Sequence, residues 1–259
     1  METWEARTAP GLLRRLTVPV GLAVVAVTAV AWYVTWSTSD VTMMLTNPSM
    51  PATDPAAIAA FLALLVVMMV AMMLPSALPM ILAYRGLTRL EAGRPVKPAD
   101  DVATALFVLP YFLVWGAFGA LALLGLLGVG LLGPLRGALA LAPAVVLLAA
   151  GAFQFTRTKE VCLGYCESPM GFVVRFWRSG RLGALRMGSR HAMYCIGCCW
   201  LFMVVLFVVG SMSLPWMGLV SVLIFAEKVG SDRFPVSRAI AVLLFVLAGL
   251  VGLRALLPR

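Results

Sequence analysis

The residues best suited to chemistry lie in one segment of eleven residues that ends at Trp200. An imidazole and three thiols are spaced there at i, i+4, i+7 and i+8, on one face of a predicted helix: His191, Cys195, Cys198 and Cys199. Such soft ligands suit Cu(I), Zn(II) or an iron cofactor better than a hard cation. Cysteine is also a common core residue, but three cysteines beside the only histidine of the chain favour a metal site.

Two further cysteines, Cys162 and Cys166, come earlier in the chain. They stand at i and i+4, so a helix would place both on one face together with Lys159. Neither cysteine group alone has a standard zinc spacing, whereas five thiols together exceed the four that a tetrahedral site needs. The sequence therefore predicts thiol ligands from two helices, with Lys159 beside them.

The composition identifies the kind of protein that carries these thiols. Hydrophobic residues make up 62% of the 259 residues and charged residues only 12%, and the mean hydropathy is +1.00. Soluble domains are about 45–50% apolar and about 25% charged. We therefore expect an all-α, polytopic membrane protein. The net charge of +9 is read as topology information and not as a sign of nucleic-acid binding.

Apolar segments long enough for helices divide the chain into about seven predicted spans that form a single transmembrane domain over residues 18–259, after an N-terminal arm at 1–17. The first segment ends in an aromatic belt, Trp32 to Trp36, which favours a retained helix over a cleaved signal. The predicted spans are 18–36, 56–84, 102–127, 139–155, 193–210, 216–229 and 236–253. A polar, cysteine-containing loop is expected at about 156–190.

The basic residues set the expected orientation. With the N-terminus inside and the C-terminus outside, 17 of the 20 Lys and Arg residues fall in cytoplasmic segments, which matches the positive-inside bias. We therefore expect a multi-pass protein of the bacterial cytoplasmic membrane. In this orientation all five cysteines lie on the cytoplasmic side, where thiols stay reduced, so ligation or redox chemistry is favoured over a structural disulfide.

Methionines, whose thioether sulfur is a soft metal ligand, form a second candidate group of ligands. In the second predicted span, Met69, Met73, Ser76 and Met80 form one stripe, and Pro75 and Pro79 are expected to kink the helix. Met73 and Met80 would reach the level of the cysteines, and thioethers bind Cu(I) better than zinc. Methionine is also an ordinary packing residue. An outer group of methionines would fit an oxidising side: Met43, Met44 and Met50.

A carboxylate stands at the end of the sixth predicted span, where Glu227 precedes Lys228. Such a charge is costly beside lipid unless it is paired or hydrated. We expect Glu227 either to accept a hydrogen bond from His191, to pair with Lys228 or an arginine, or to reach water. The chain has no nucleophile elbow, phosphate loop or His-Glu-x-x-His motif, so no catalytic residues are predicted.

Three motifs together resemble a known bacterial family. They are Met72 to Pro75, Lys159 to Pro169, and Tyr194 to Trp200, with Ala226-Glu227-Lys228 further on. The pattern resembles domain of unknown function 2182, a family described as predicted metal-binding integral membrane proteins. The resemblance covers about residues 55–235 and implies a metal site at these motifs, without a substrate or a reaction.

The leading hypothesis is a membrane protein that binds Cu(I), with Zn(II) as the alternative ion, and hands it to or from a partner protein or across the bilayer. The predicted ligands are the five cysteines, His191, Met73 and Met80, with Glu227 and Lys159 as neighbours. One rival is a membrane thiol-disulfide oxidoreductase that cycles Cys195 and Cys198. Another is an assembly factor whose cysteines only pack.

Overall fold

The computed structural model describes residues 5–40, 55–90, 100–129, 141–208, 213–230 and 236–257. Within these ranges the regular secondary structure is all α-helical, as predicted, and consists of nine helices. In chain order they are α1 (Glu5–Ser37), α2 (Pro55–Leu90), α3 (Asp101–Val129), α4 (Ala142–Phe153), α5 (Arg157–Glu167), α6 (Pro169–Phe176), α7 (Gly180–Val208), α8 (Leu214–Gly230) and α9 (Val236–Leu256).

Five of the described helices are long and apolar enough to cross a membrane, as expected of a multi-pass protein. They contain the segments Val18–Ser37, Pro55–Thr88, Asp101–Ala122, Gly180–Val208 and Val236–Leu256. Helix α4 has only 12 residues, about 18 Å of helix, which is shorter than a bilayer core. The count of seven spans and the N-in, C-out orientation therefore stay predictions. The methionines at 43, 44 and 50 lie outside the described residues.

The expected loop at 156–190 is mostly helical. Thr156 begins α5 by accepting a hydrogen bond from the Lys159 amide, α6 follows after Ser168, and α7 begins at Gly180, where φ is +78°. Helix α5 is polar on average yet buries one face, formed by Lys159, Leu163 and Cys166. Average hydropathy misses such a helix because the exposed polar face outweighs the buried one.

Because α7 begins earlier than predicted, the cysteines lie further from its N-terminus than expected. The predicted span began at Met193, which would put Cys195 at a membrane surface, whereas the helix begins at Gly180. Cys195 thus lies 15 residues inside a helix of 29 residues. The thiols are therefore near the middle of α7 rather than at its end.

Helices α2 and α7 form the centre of the bundle. In their apolar spans 44% and 50% of residues are buried, against 11% in α1. Helix α7 crosses α3 closely at Gly188, where an added Cβ would stand 2.0 Å from the carbonyl oxygen of Phe107. Helix α2 continues through Pro75 and Pro79 as one element. The buried faces of these helices carry the candidate site.

Candidate metal centre

Helices α5 and α7 bring four of the five thiols together. Cys166 of α5 and the three cysteines of α7 are all buried. The Sγ atom of Cys198 lies 3.2 Å from that of Cys199 and 3.9 Å from that of Cys166. The Cys198 thiol also donates to the carbonyl oxygen of Cys195 at 3.2 Å. The structure thus joins cysteines from two predicted groups into one cluster, which is called here the four-thiol cluster: Cys166, Cys195, Cys198 and Cys199.

The spacing within the four-thiol cluster can be compared with that of metal ligands. With a metal–sulfur bond of about 2.3 Å, two sulfurs on one ion stand about 3.8–4.0 Å apart in tetrahedral or trigonal geometry. The separation of Cys198 and Cys166 matches this value, whereas the separation of Cys198 and Cys199 is shorter. As they stand, the described residues contain no group of three His, Cys, Asp or Glu side chains with metal-site geometry. Binding an ion there requires side-chain rotation.

Cys162 lies apart from the four-thiol cluster. Its side chain is half-buried, and its Sγ atom packs against Gly197, where an added Cβ would stand only 2.5 Å away. Burial raises the pKa of the Cys162 thiol, against the opposing charge of Lys159. Cys162 was a predicted ligand, and the structure places it beside α7 without joining it to the other four thiols.

A buried lysine faces the cluster from α8. The Lys228 ammonium donates to the Cys195 sulfur at 3.1 Å and to the Ser76 hydroxyl at 3.0 Å. The Tyr111 hydroxyl lies 3.2 Å from the same sulfur. Lys228 was expected only as a partner of Glu227 or of water, and Tyr111 was not predicted at all. Both give Cys195 an environment that stabilises a thiolate.

The second buried lysine is paired with the carboxylate. The Lys159 ammonium donates to Glu227 Oε2 at 2.6 Å and to the carbonyl oxygen of Cys198 at 2.7 Å. Burial lowers the pKa of Lys159, but the attraction of Glu227, Cys199 and Cys198 together outweighs it and raises this pKa above its ordinary value. Glu227 therefore pairs with Lys159 rather than with His191 or Lys228. This ion pair ties α5 and α8 to the helix that carries the cluster.

His191 is buried beside the cluster in an aromatic setting. Its ring stacks on Tyr111, with ring centres 5.7 Å apart, and on Phe107 at 6.1 Å. Neither ring nitrogen has a hydrogen-bond partner among the described residues. An imidazole with two buried, unpaired nitrogens is costly, so a ligand that uses one of them would relieve the cost.

The two predicted methionines, Met73 and Met80, are almost fully buried in α2, at 0% and 1% exposure. Met73 contacts the site through its carbonyl oxygen, which accepts hydrogen bonds from Tyr111 at 3.4 Å and from Ser76 at 2.8 Å. The backbone of α2 at Met73 is thus linked to Cys195 through the Tyr111 hydroxyl.

Comparison with known protein families indicates the type of function. The family model PpoB2, described as a copper chaperone, matches residues 62–251. This range contains every predicted ligand, both buried lysines and Glu227. No curated protein and no solved structure matches the chain. The likeness to domain of unknown function 2182 stays a resemblance. Because the matched range is well over half of the chain, the protein belongs to the PpoB2 family of copper chaperones.

Proposed function

We propose that the protein is a membrane copper chaperone that holds one Cu(I) ion at the four-thiol cluster and passes it to an acceptor protein. The observation that carries the proposal is the contact of four buried thiols from two helices beside a buried cation. More donors than one ion needs allow Cu(I) to change ligands stepwise, as transfer requires. In this proposal the protein lies in the bacterial cytoplasmic membrane, and His191, Met73 and Met80 serve as auxiliary donors.

Formal charge favours Cu(I) over Zn(II) at this cluster. A Cu(I) ion with two thiolates carries one negative charge, which the ammonium of Lys228 balances. A Zn(II) ion with four thiolates carries two negative charges and leaves one unbalanced. Buried charge without a partner is costly. The ligand softness points to Cu(I) as well.

Cys166 gives the binding a pH dependence. Its hydrogen bond to Cys195 and its burial raise the pKa of Cys166 well above the ordinary value, against the opposing influence of Cys198 and Lys228. The free thiol therefore keeps its proton at neutral pH, and copper has to displace that proton to bind the sulfur. Copper affinity at this ligand falls as the pH falls.

X-ray absorption at the copper edge tests the proposal on the purified, detergent-solubilised protein. We expect one copper ion per chain with sulfur neighbours at about 2.3 Å. A first shell of oxygen and nitrogen would contradict the four-thiol cluster. A metal-free protein with a reversible Cys195–Cys198 disulfide would favour the oxidoreductase instead, although all five cysteines are free in the structure.

The Lys228→Met variant is expected to bind copper about 10–100-fold more weakly, as is usual when a group that orients or stabilises a metal ligand is lost. The ammonium is the only cation within hydrogen-bond distance of Cys195 among the described residues. Affinity is measured by competition with a chromophoric Cu(I) chelator. The matched control is Arg254→Met, which removes one exposed positive charge at the end of α9. Equal affinities for the two variants would exclude a role for Lys228.

A further inference from the structure

A groove between α6 and the first turns of α7 concentrates positive charge at one place on the surface. Its volume is about 710 Å³, within the range of about 300–1,000 Å³ that small-molecule sites have. Three arginines line it: Arg178 from the link between the two helices, and Arg186 and Arg190 from α7. Among the described residues that line the groove, none is acidic. The groove is therefore suited to an anion.

The three arginines of the groove are exposed, and no carboxylate of the described residues forms an ion pair with them. Arg181, close to them in sequence, does have such a partner. Packing contacts position two of the three instead. The Arg190 guanidinium lies 4.5 Å from the centre of the Phe176 ring, and the Arg178 backbone packs on Gly183, where an added Cβ would stand 2.3 Å from the Arg178 carbonyl oxygen. Their N–H donors thus stay available to an oxygen-rich anion such as phosphate.

The other end of the groove is apolar. On α7, Arg186, Arg190 and Met193 stand at i, i+4 and i+7 and therefore share one face of the helix. All three line the groove and are exposed. After Arg190, α7 contains no Lys, Arg, Asp or Glu up to its end at Val208. Over about 10 Å of helix, the groove thus passes from guanidinium groups to an exposed apolar side chain.

An anionic phospholipid matches both ends of the groove, because its phosphate stands directly beside its acyl chains. A zwitterionic phospholipid would also bring an ammonium group toward three arginines, and such a contact between like charges is unfavourable. An acidic protein surface would pair with the arginines, but it has no counterpart for an apolar end that continues into a helix able to span a membrane. Basic pockets between transmembrane helices on the cytoplasmic side bind anionic headgroups in this way, and the predicted orientation puts the groove on that side.

We propose that the groove between α6 and α7 binds one anionic phospholipid, with its phosphate on Arg178, Arg186 and Arg190 and an acyl chain along Met193. The phosphate joins the link after α6 to two turns of α7, so the bound lipid holds these elements together. It also fixes the depth of α7 relative to the headgroups of the bilayer. The inference does not depend on the proposed binding of copper.

The test is native mass spectrometry of the purified, detergent-solubilised protein during titration with phosphatidylglycerol. We expect wild type to bind one phosphatidylglycerol tightly. The Arg186→Gln/Arg190→Gln variant should bind it about 25-fold more weakly, since each basic residue near an anionic membrane surface contributes about fivefold. The matched control is Arg157→Gln/Arg238→Gln, which removes two exposed positive charges at the starts of α5 and α9 and should bind the lipid as wild type does. Both variants change exposed side chains only, so the fold should be kept.

Four results would overturn the lipid site. An equal loss in the two double variants would show that general attraction between a basic protein and an anionic lipid is sufficient. Equal affinity of wild type for phosphatidylcholine would show that the net charge of the headgroup does not matter. Full displacement of the lipid by inorganic phosphate would show that the acyl chain contributes nothing. Stronger binding of an oligoglutamate peptide than of phosphatidylglycerol would indicate an acidic protein partner instead.

Discussion

The Cys198→Ser variant is expected to lose nearly all bound copper. Cys198 touches the thiols of Cys199 and Cys166 and so joins the two helices of the four-thiol cluster. A hydroxyl is a hard and weak donor for Cu(I). We therefore expect copper occupancy to fall by about tenfold or more when the protein is passed over a competing Cu(I) chelator. Occupancy is measured by mass spectrometry of the metal in the purified protein.

The matched control for this experiment is Cys162→Ser. It makes the same atomic change in a cysteine that lies outside the four-thiol cluster and is half-buried. We expect its copper occupancy to equal that of wild type. Wild-type occupancy in Cys198→Ser would remove that residue from the site, and a loss in Cys162→Ser would extend the cluster to all five thiols.

The second large effect concerns the ion pair of Lys159 and Glu227. Both side chains are 1% exposed, so Lys159→Met leaves a buried carboxylate without its counter-charge. Removal of one partner from a buried pair costs about 3–5 kcal/mol. We expect a loss of this size in the free energy of unfolding, measured by titration with a denaturing detergent. The double variant Lys159→Met/Glu227→Leu removes both charges and should recover most of the loss.

A control on the same helix separates the ion pair from a general effect of charge. Glu160→Met changes an exposed neighbour of Lys159 and should alter the free energy of unfolding by less than about 0.5 kcal/mol. A double variant as unstable as Lys159→Met would show that the hydrogen bond from Lys159 to the Cys198 carbonyl, and not the ion pair, stabilises the bundle.

The sequence predicted those features that depend on composition and helical spacing. Hydropathy indicated the apolar helices, and the spacing of Cys195, Cys198 and Cys199 indicated a common face, which the structure shows as buried. The spacing of Cys162 and Cys166 correctly predicted a helix. It did not indicate which of the two thiols contacts the cysteines of α7. Only the packing of α5 against α7 decides that Cys166 faces inward and Cys162 lies against Gly197.

Other features depend on how distant helices are rotated against one another. Glu227 and Lys228 are neighbours in sequence, so each looked like a partner of the other or of water. On α8 consecutive side chains point about 100° apart, and they reach different helices: Glu227 contacts Lys159, whereas Lys228 contacts Cys195. Tyr111 carries no local signal either, because its hydroxyl meets Cys195 only through the crossing of α3 and α7.

The ion pair between α5 and α8 also bears on biosynthesis. Lys159 is translated 68 residues before its carboxylate partner, so the ribosome completes α6 and α7 while that ammonium still lacks its counter-ion. Helix α8, by contrast, leaves the ribosome when Ser76, Lys159 and Cys195 have all been made. A nascent chain that stops before α8 therefore cannot pair Lys159 with Glu227, and docking of α8 is the step that completes this ion pair and brings Lys228 to Cys195.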